Sequence, residues 1–167
     1  SATSILNKFG AFEVIIARNV FSHIPDPRSV FKGISLLLAE DGIFYIEFHW
    51  LKKILTEVHY DSIYHEHTFY HSISSVSKYL AEFHLYPVDA WESPISGGSI
   101  ILSFQRTLKD KSKTLNKLID DEIVSGIEDF KSWEKFALAT QQNISELSNY
   151  LEHNSNKNIY GFGVSAR

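Results

Sequence analysis

The chain has 167 residues, 44 % of them hydrophobic and 14 % aromatic, with a formal net charge of −4. That composition builds one sizeable core and excludes a disordered chain, and the acidic balance gives no footing for nucleic acid or an anionic membrane as partner. No apolar run approaches the ~20 residues that span a bilayer. The absence of cysteine excludes disulfides and thiolate metal sites and suits a cytoplasmic location. Methionine is absent too. An open reading frame starts with one, so a segment of a larger protein is expected.

Phe12–Asn19, "FEVIIARN", is a near-continuous apolar run and predicts a strand buried on both faces of a parallel sheet. A helix is expected next, with Asp26 as N-cap, Pro27 at its first position, and Val30, Ile34, Leu37 and Leu38 on one face. Asp41-Gly42 should end it, and Ile43–Phe48, "IFYIEF", should form a second buried strand, giving a βαβ unit. The segment "DSIYHEHTFYHS" at 61–72 follows, read as irregular. Ser74 or Ser75 can cap a helix running to about His84, with Val76, Tyr79, Leu80 and Phe83 inward. "LYPVDAWE" and "SIILSFQR" then flank "SPISGG", which predicts an antiparallel hairpin. From Lys109 the chain becomes polar and helix-periodic. Leu115, Leu118, Ile119, Ile123, Trp133, Phe136, Ile144, Leu147 and Leu151 mark stripes that should lay two helices over the sheet. "NIYGFGVSAR" returns to a strand and a Gly-x-Gly turn, a weak sign of a nucleotide-binding unit.

The 61–72 segment concentrates Tyr64, His65, Glu66, His67, Tyr70 and His71. Imidazole exchanges a proton near neutral pH, a carboxylate can orient it, and a tyrosine hydroxyl can bond a developing oxyanion. His65, His67 and His71 also admit a metal reading, but the spacing is not HExxH and no metal site is expected. His23, together with Ala17, Arg18 and Asn19, falls at the carboxyl end of the first strand, where open α/β sheets bind ligands. Gly97, Gly98 and Ser99 read first as a hairpin turn. His49, His59, His84 and His153 have no recognisable partners in the sequence.

"ARNVFSHIPDP", "DSIYHEHTFYHS" and "ISGGSI", in that order and spacing, resemble the S-adenosylmethionine (SAM)-dependent sugar C-methyltransferases, which methylate a nucleotide-linked keto-sugar. The resemblance implies an α/β fold: the second half of a class I methyltransferase (Rossmann-like) sheet with a C-terminal antiparallel hairpin, followed by a helical linker. It divides the chain into a partial SAM-methyltransferase domain at 1–108, a helical linker at 109–156, and the start of a C-terminal Rossmann-like domain at 157–167. It implies His67 as general base, Glu66 orienting it or binding a sugar hydroxyl, Tyr64 contacting the enolate, and His23 facing the sugar. Ala17, Arg18 and Asn19 would line the SAM site, and Gly98 and Ser99 would approach the sugar. In that family a zinc-binding cysteine domain and a glycine-rich SAM loop precede this region. Neither is in these residues, and Arg167 replaces the usual Lys of the terminal turn, so this segment should be inactive alone. An apolar sheet edge left by missing strands should drive either self-association or association with the remainder of the protein.

Two other readings remain at this point. One is a nicotinamide-dependent oxidoreductase whose cofactor turn is "GFGVSAR". The other is a non-catalytic binding module built on a methyltransferase-like sheet.

Overall fold

The computed structural model describes residues 1–161; the predicted turn at Gly163 and Arg167 lie outside them. A helix, α1 (Ala2–Phe9), precedes strand β1 (Phe12–Arg18). Helix α2 (Pro27–Leu37) leads into β2 (Leu38–His49), which runs parallel to β1. Helices α3 (Leu51–Thr56) and α4 (Ile73–Ala81) bracket the histidine-rich segment. Strands β3 (Tyr86–Ser93) and β4 (Ser99–Gln105) form the hairpin, and helices α5 (Lys113–Val124) and α6 (Phe130–His153) complete the described chain. The sheet order is β1-β2-β4-β3, with β4 antiparallel to both neighbours.

The βαβ unit forms for the expected reasons. The Asp26 carboxylate accepts from the Ser29 N–H, and Pro27 opens α2. The helix ends earlier than predicted, however. Leu38 already has extended backbone, and Asp41-Gly42 lie inside β2 opposite an irregularity in β1. The cause is tertiary: Phe12 pairs with Leu38 and Val14 with Ile43, so the ladder absorbs the intervening residues as a bulge. α4 is capped two or three residues before its predicted caps. Ser72 is the N-cap, and its side chain and that of Ser75 exchange bonds as a capping box.

The core lies on one face of the sheet. Phe44, Ile46, Phe48 and Trp50 alternate inward from β2 and just beyond it. They meet Ile100, Leu102 and Phe104 from β4. Phe21 and Phe31 stack at 4.5 Å, and Val76, Leu80, Leu115 and Leu118 close the layer. β1 is not buried on both faces as predicted. It is an edge strand whose Val14 and Ile16 are exposed.

The two late helices also depart from expectation. α5 buries Leu115 and Leu118, but its third inward residue is Glu122, while Ile123 is 67 % exposed. α6 buries nothing; Ile144, Leu147 and Leu151 stay exposed, and its main contact is with α3. Residues 158–161 are not in a strand.

Candidate active site

The parallel strands β1 and β2 end side by side, and the segments that leave them meet. Beyond β1 a 3-10 turn at Phe21–His23 carries His23, and beyond α3 a turn brings the His67 N–H onto the Tyr64 carbonyl at 3.0 Å. Thr68 fastens the two segments, donating through both its N–H and its hydroxyl to the Ser22 carbonyl. The rings of His23 and His67 stand 4.8 Å apart, and Tyr64 lies 4.3 Å from His67 on centroids. Three of the four predicted catalytic residues therefore share one small cluster at the carboxyl rim of the sheet.

The proton arrangement follows from which partners can only accept. His67 Nδ1 lies 2.8 Å from the Ser62 carbonyl, so Nδ1 carries the hydrogen and Nε2 holds the lone pair of the neutral ring. His23 Nδ1 likewise donates to the Glu66 carbonyl at 3.1 Å. Glu66 thus joins the cluster through its backbone, with an exposed side chain. The atom that orients His67 is the Ser62 carbonyl, which sequence reasoning did not find, because backbone acceptors leave no mark on residue type.

A second polar centre lies beneath the rim. Arg18 Nε donates to Glu47 Oε2 at 2.6 Å, and the Ser99 hydroxyl donates to Glu47 Oε1 at 2.7 Å. Glu47 is only 2 % exposed. Burial alone would raise its pKa, but the hydrogen bonds from Arg18 and Ser99 and the Arg18 charge outweigh it and hold the carboxyl below its ordinary value. Both Arg18 and Ser99 are therefore committed to Glu47. Ala17 packs against the core, whereas Asn19 sits at the strand tip in the left-handed region (φ 49°), its N–H on the Glu47 carbonyl. The sequence signal for Glu47 was present: it is the one charge in the apolar run "IFYIEF". A cavity of about 350 Å³ opens beside it, walled by Ile16, Tyr45, Trp91 and Ile101.

The glycine turn packs downward. A Cβ on Gly97 (φ 79°) would lie 3.2 Å from the His59 ring, and one on Gly98 (φ 125°) 3.1 Å from the Lys53 chain. His71 is a structural member of the segment. Its carbonyl accepts from the Leu51 N–H, and its ring meets Phe48 at 5.4 Å. Burial lowers its pKa, partly offset by a hydrogen bond to the Phe21 backbone. Among the described residues no group of three or more His, Asp or Glu is arranged to hold a metal ion. No helix among them is long and apolar enough to cross a membrane.

Comparison with known proteins fits this topology. The family described as "Methyltransferase domain" matches residues 2–90, more than half of the chain. The chain belongs to the methyltransferases. A second family, the "C-methyltransferase C-terminal domain", matches residues 94–167. The chain is 30 % identical over 135 residues to the C-methyltransferase NovU of Streptomyces niveus, an overlap covering 80 % of this chain and 32 % of that protein. It thus spans about a third of the length of that relative. Among solved structures, a chain from the complex between the Haloferax volcanii Trm112 methyltransferase activator and a methyltransferase aligns with a TM-score of 0.48 and 10 % identity. That alignment covers 61 % of this chain and 57 % of the other.

Proposed function

We propose that this methyltransferase segment belongs to an enzyme that transfers a methyl group from SAM to a carbon of a nucleotide-linked keto-sugar, through an enolate made by an internal base. The observation that carries this reading is the fixed tautomer of His67. With Nδ1–H donated to the Ser62 carbonyl, Nε2 is the basic nitrogen of a ring that packs against the rings of Tyr64 and His23. In the proposed reaction Nε2 takes the proton from the carbon beside the ketone. The resulting imidazolium is held by the Ser62 carbonyl, and the Tyr64 hydroxyl hydrogen-bonds the enolate oxygen. The exposed Glu66 carboxylate is then suited to a sugar hydroxyl rather than to orienting His67.

SAM, when bound, supplies a methyl group on a positively charged sulfur. The residues present fit one wall of such a site. Asn19 offers a polar side chain at the strand tip, while Arg18 acts indirectly by fixing Glu47, whose carbonyl holds the Asn19 backbone. The glycine-rich loop and the zinc-binding domain implied by the resemblance would come from other parts of the protein. Residues 157–167 are assigned in this reading to the start of a further Rossmann-like domain.

The test is methyl transfer by the full-length protein to a nucleotide-linked keto-sugar, with proton–deuterium exchange at the substrate carbon followed separately. His67→Ala should abolish both exchange and transfer while SAM binding by calorimetry persists. Unchanged exchange in that variant would remove His67 as the base. Absence of SAM binding by the wild-type protein would favour the non-catalytic module.

A further inference from the structure

His49 and His59, unremarkable in the sequence, are joined in a continuous polar chain that ends on the His67 cluster. Glu57 Oε2 lies 3.2 Å from His59 Nε2, and His59 Nδ1 lies 3.2 Å from His49 Nε2. His49 Nδ1 lies 3.1 Å from the Ser62 hydroxyl, and the Ser62 carbonyl takes the His67 Nδ1–H at 2.8 Å.

One proton arrangement satisfies every link when the rings are neutral. A carboxylate only accepts, so His59 carries its hydrogen on Nε2 and accepts on Nδ1. His49 must then donate from Nε2 and accept on Nδ1, which leaves the Ser62 hydroxyl as donor. Each tautomer dictates the next. Lys53 donates to the other Glu57 oxygen at 2.7 Å and, with His59, keeps that carboxyl below its ordinary pKa and hence ionised. Gly97 (φ 79°) seats the hairpin turn directly on the His59 ring, where an added Cβ would lie 3.2 Å from the ring. Ser62 is itself 3 % exposed, and its N–H donates to the His59 carbonyl, so side chain and backbone of the same residue are tied to the two histidines.

We propose that Glu57, His59 and His49 form a positioning relay that locks Ser62 and, through the Ser62 carbonyl, fixes the orientation and tautomer of His67. Their effect on catalysis rests on the reading of His67 as base, whereas their effect on its tautomer does not.

The experiment separates those two parts. In the ¹⁵N-labelled protein at about pH 8, where imidazole is neutral, long-range proton–nitrogen spectra should show His67 as a single Nδ1–H tautomer and His49 and His59 as Nε2–H tautomers. His59→Phe and Glu57→Leu should both convert His67 to a tautomer mixture. Glu57→Gln, which keeps an acceptor for His59, should restore the wild-type pattern. Glu57 is exposed, so its variants keep the test valid even where His59→Phe fails to fold. An unchanged His67 signature in folded Glu57→Leu and Ser62→Ala would overturn the relay. In the full-length enzyme, Glu57→Leu should lower kcat about tenfold with KM held, a part of the 10²–10⁴-fold that a positioned base supplies, and Glu57→Gln should recover it. A Glu57→Leu enzyme with wild-type kcat despite a scrambled tautomer would overturn the catalytic part. Full activity in His67→Ala would sink the base assignment and leave the tautomer result standing.

Discussion

The two faces of β2 carry opposite chemistry on one strand. Its even residues, Phe44, Ile46 and Phe48, continue into Trp50, and all four are at most 1 % exposed beneath α2, α4 and α5. Its odd residues, Tyr45, Glu47 and His49, form a row on the other face that runs from an open cavity to the rim. The covered face supplies rigidity through apolar burial. The open face carries polar groups, of which Glu47 is nearly as buried as the core and is held by hydrogen bonds from Arg18 and Ser99. A site at the strand's end thus rests on a strand that cannot move without breaking both.

That contrast can be broken at graded cost. The largest effect belongs to the covered face: Phe48→Ala should lower unfolding free energy by roughly 3–5 kcal/mol, measured by urea denaturation. A loss below about 1 kcal/mol would mean the core can collapse around the gap.

Next comes the carboxylate that α5 inserts into the same layer. Glu122 accepts from Trp50 Nε1 at 2.7 Å and from the Ile73 and Ser74 N–H groups that open α4. Glu122→Ala strands three donors and should cost about 3 kcal/mol. Amide exchange should show α4 fraying first.

On the open face, Glu47→Gln keeps an acceptor for Ser99 and loses the charge opposite Arg18, with an expected cost of roughly 1–2 kcal/mol at pH 7. Because the folded-state pKa of Glu47 is depressed, its charge stabilises the protein above the unfolded carboxylate value, and this is lost as pH falls through the folded value. The gap between wild type and Glu47→Gln should therefore shrink below about pH 4. A gap independent of pH would show that Arg18 contributes little.

The smallest effect on stability is expected at the exposed edge. Ile16→Lys should change unfolding free energy by less than about 0.5 kcal/mol, while reducing any self-association seen by light scattering, since a charge on an edge strand opposes pairing. Association unaltered by that change would move the contact away from β1.

The parts of this protein legible in sequence were those written locally. Asp26-Pro27 announced α2, "IFYIEF" announced β2, and the paired glycines announced the hairpin. Tyr64, His67 and His23 stood out as proton-handling groups at strand ends, and the structure brings all three together. α5 and α6 show where local pattern fails. Both carry apolar stripes, yet α5 buries only Leu115 and Leu118 of its stripe, with Glu122 beside them, and α6 buries none. A stripe states what a helix could bury, and only a facing surface decides whether it does. Similarly, the carbonyl of Ser62 and the pairing of His49 with His59 depend on backbone path rather than residue type.

By itself, then, the sequence determined the alternation of strands and helices, their caps and turns, and the residues able to move a proton, because those follow from periodicity and side-chain chemistry along the chain. Tertiary structure alone decided that β1 lies at an edge, that Glu47 is buried against Arg18 and Glu122 against three N–H donors, and that two plain histidines line up behind His67. These outcomes depend on which surfaces and which hydrogen-bonding atoms meet across dozens of residues, and no local pattern encodes such a meeting.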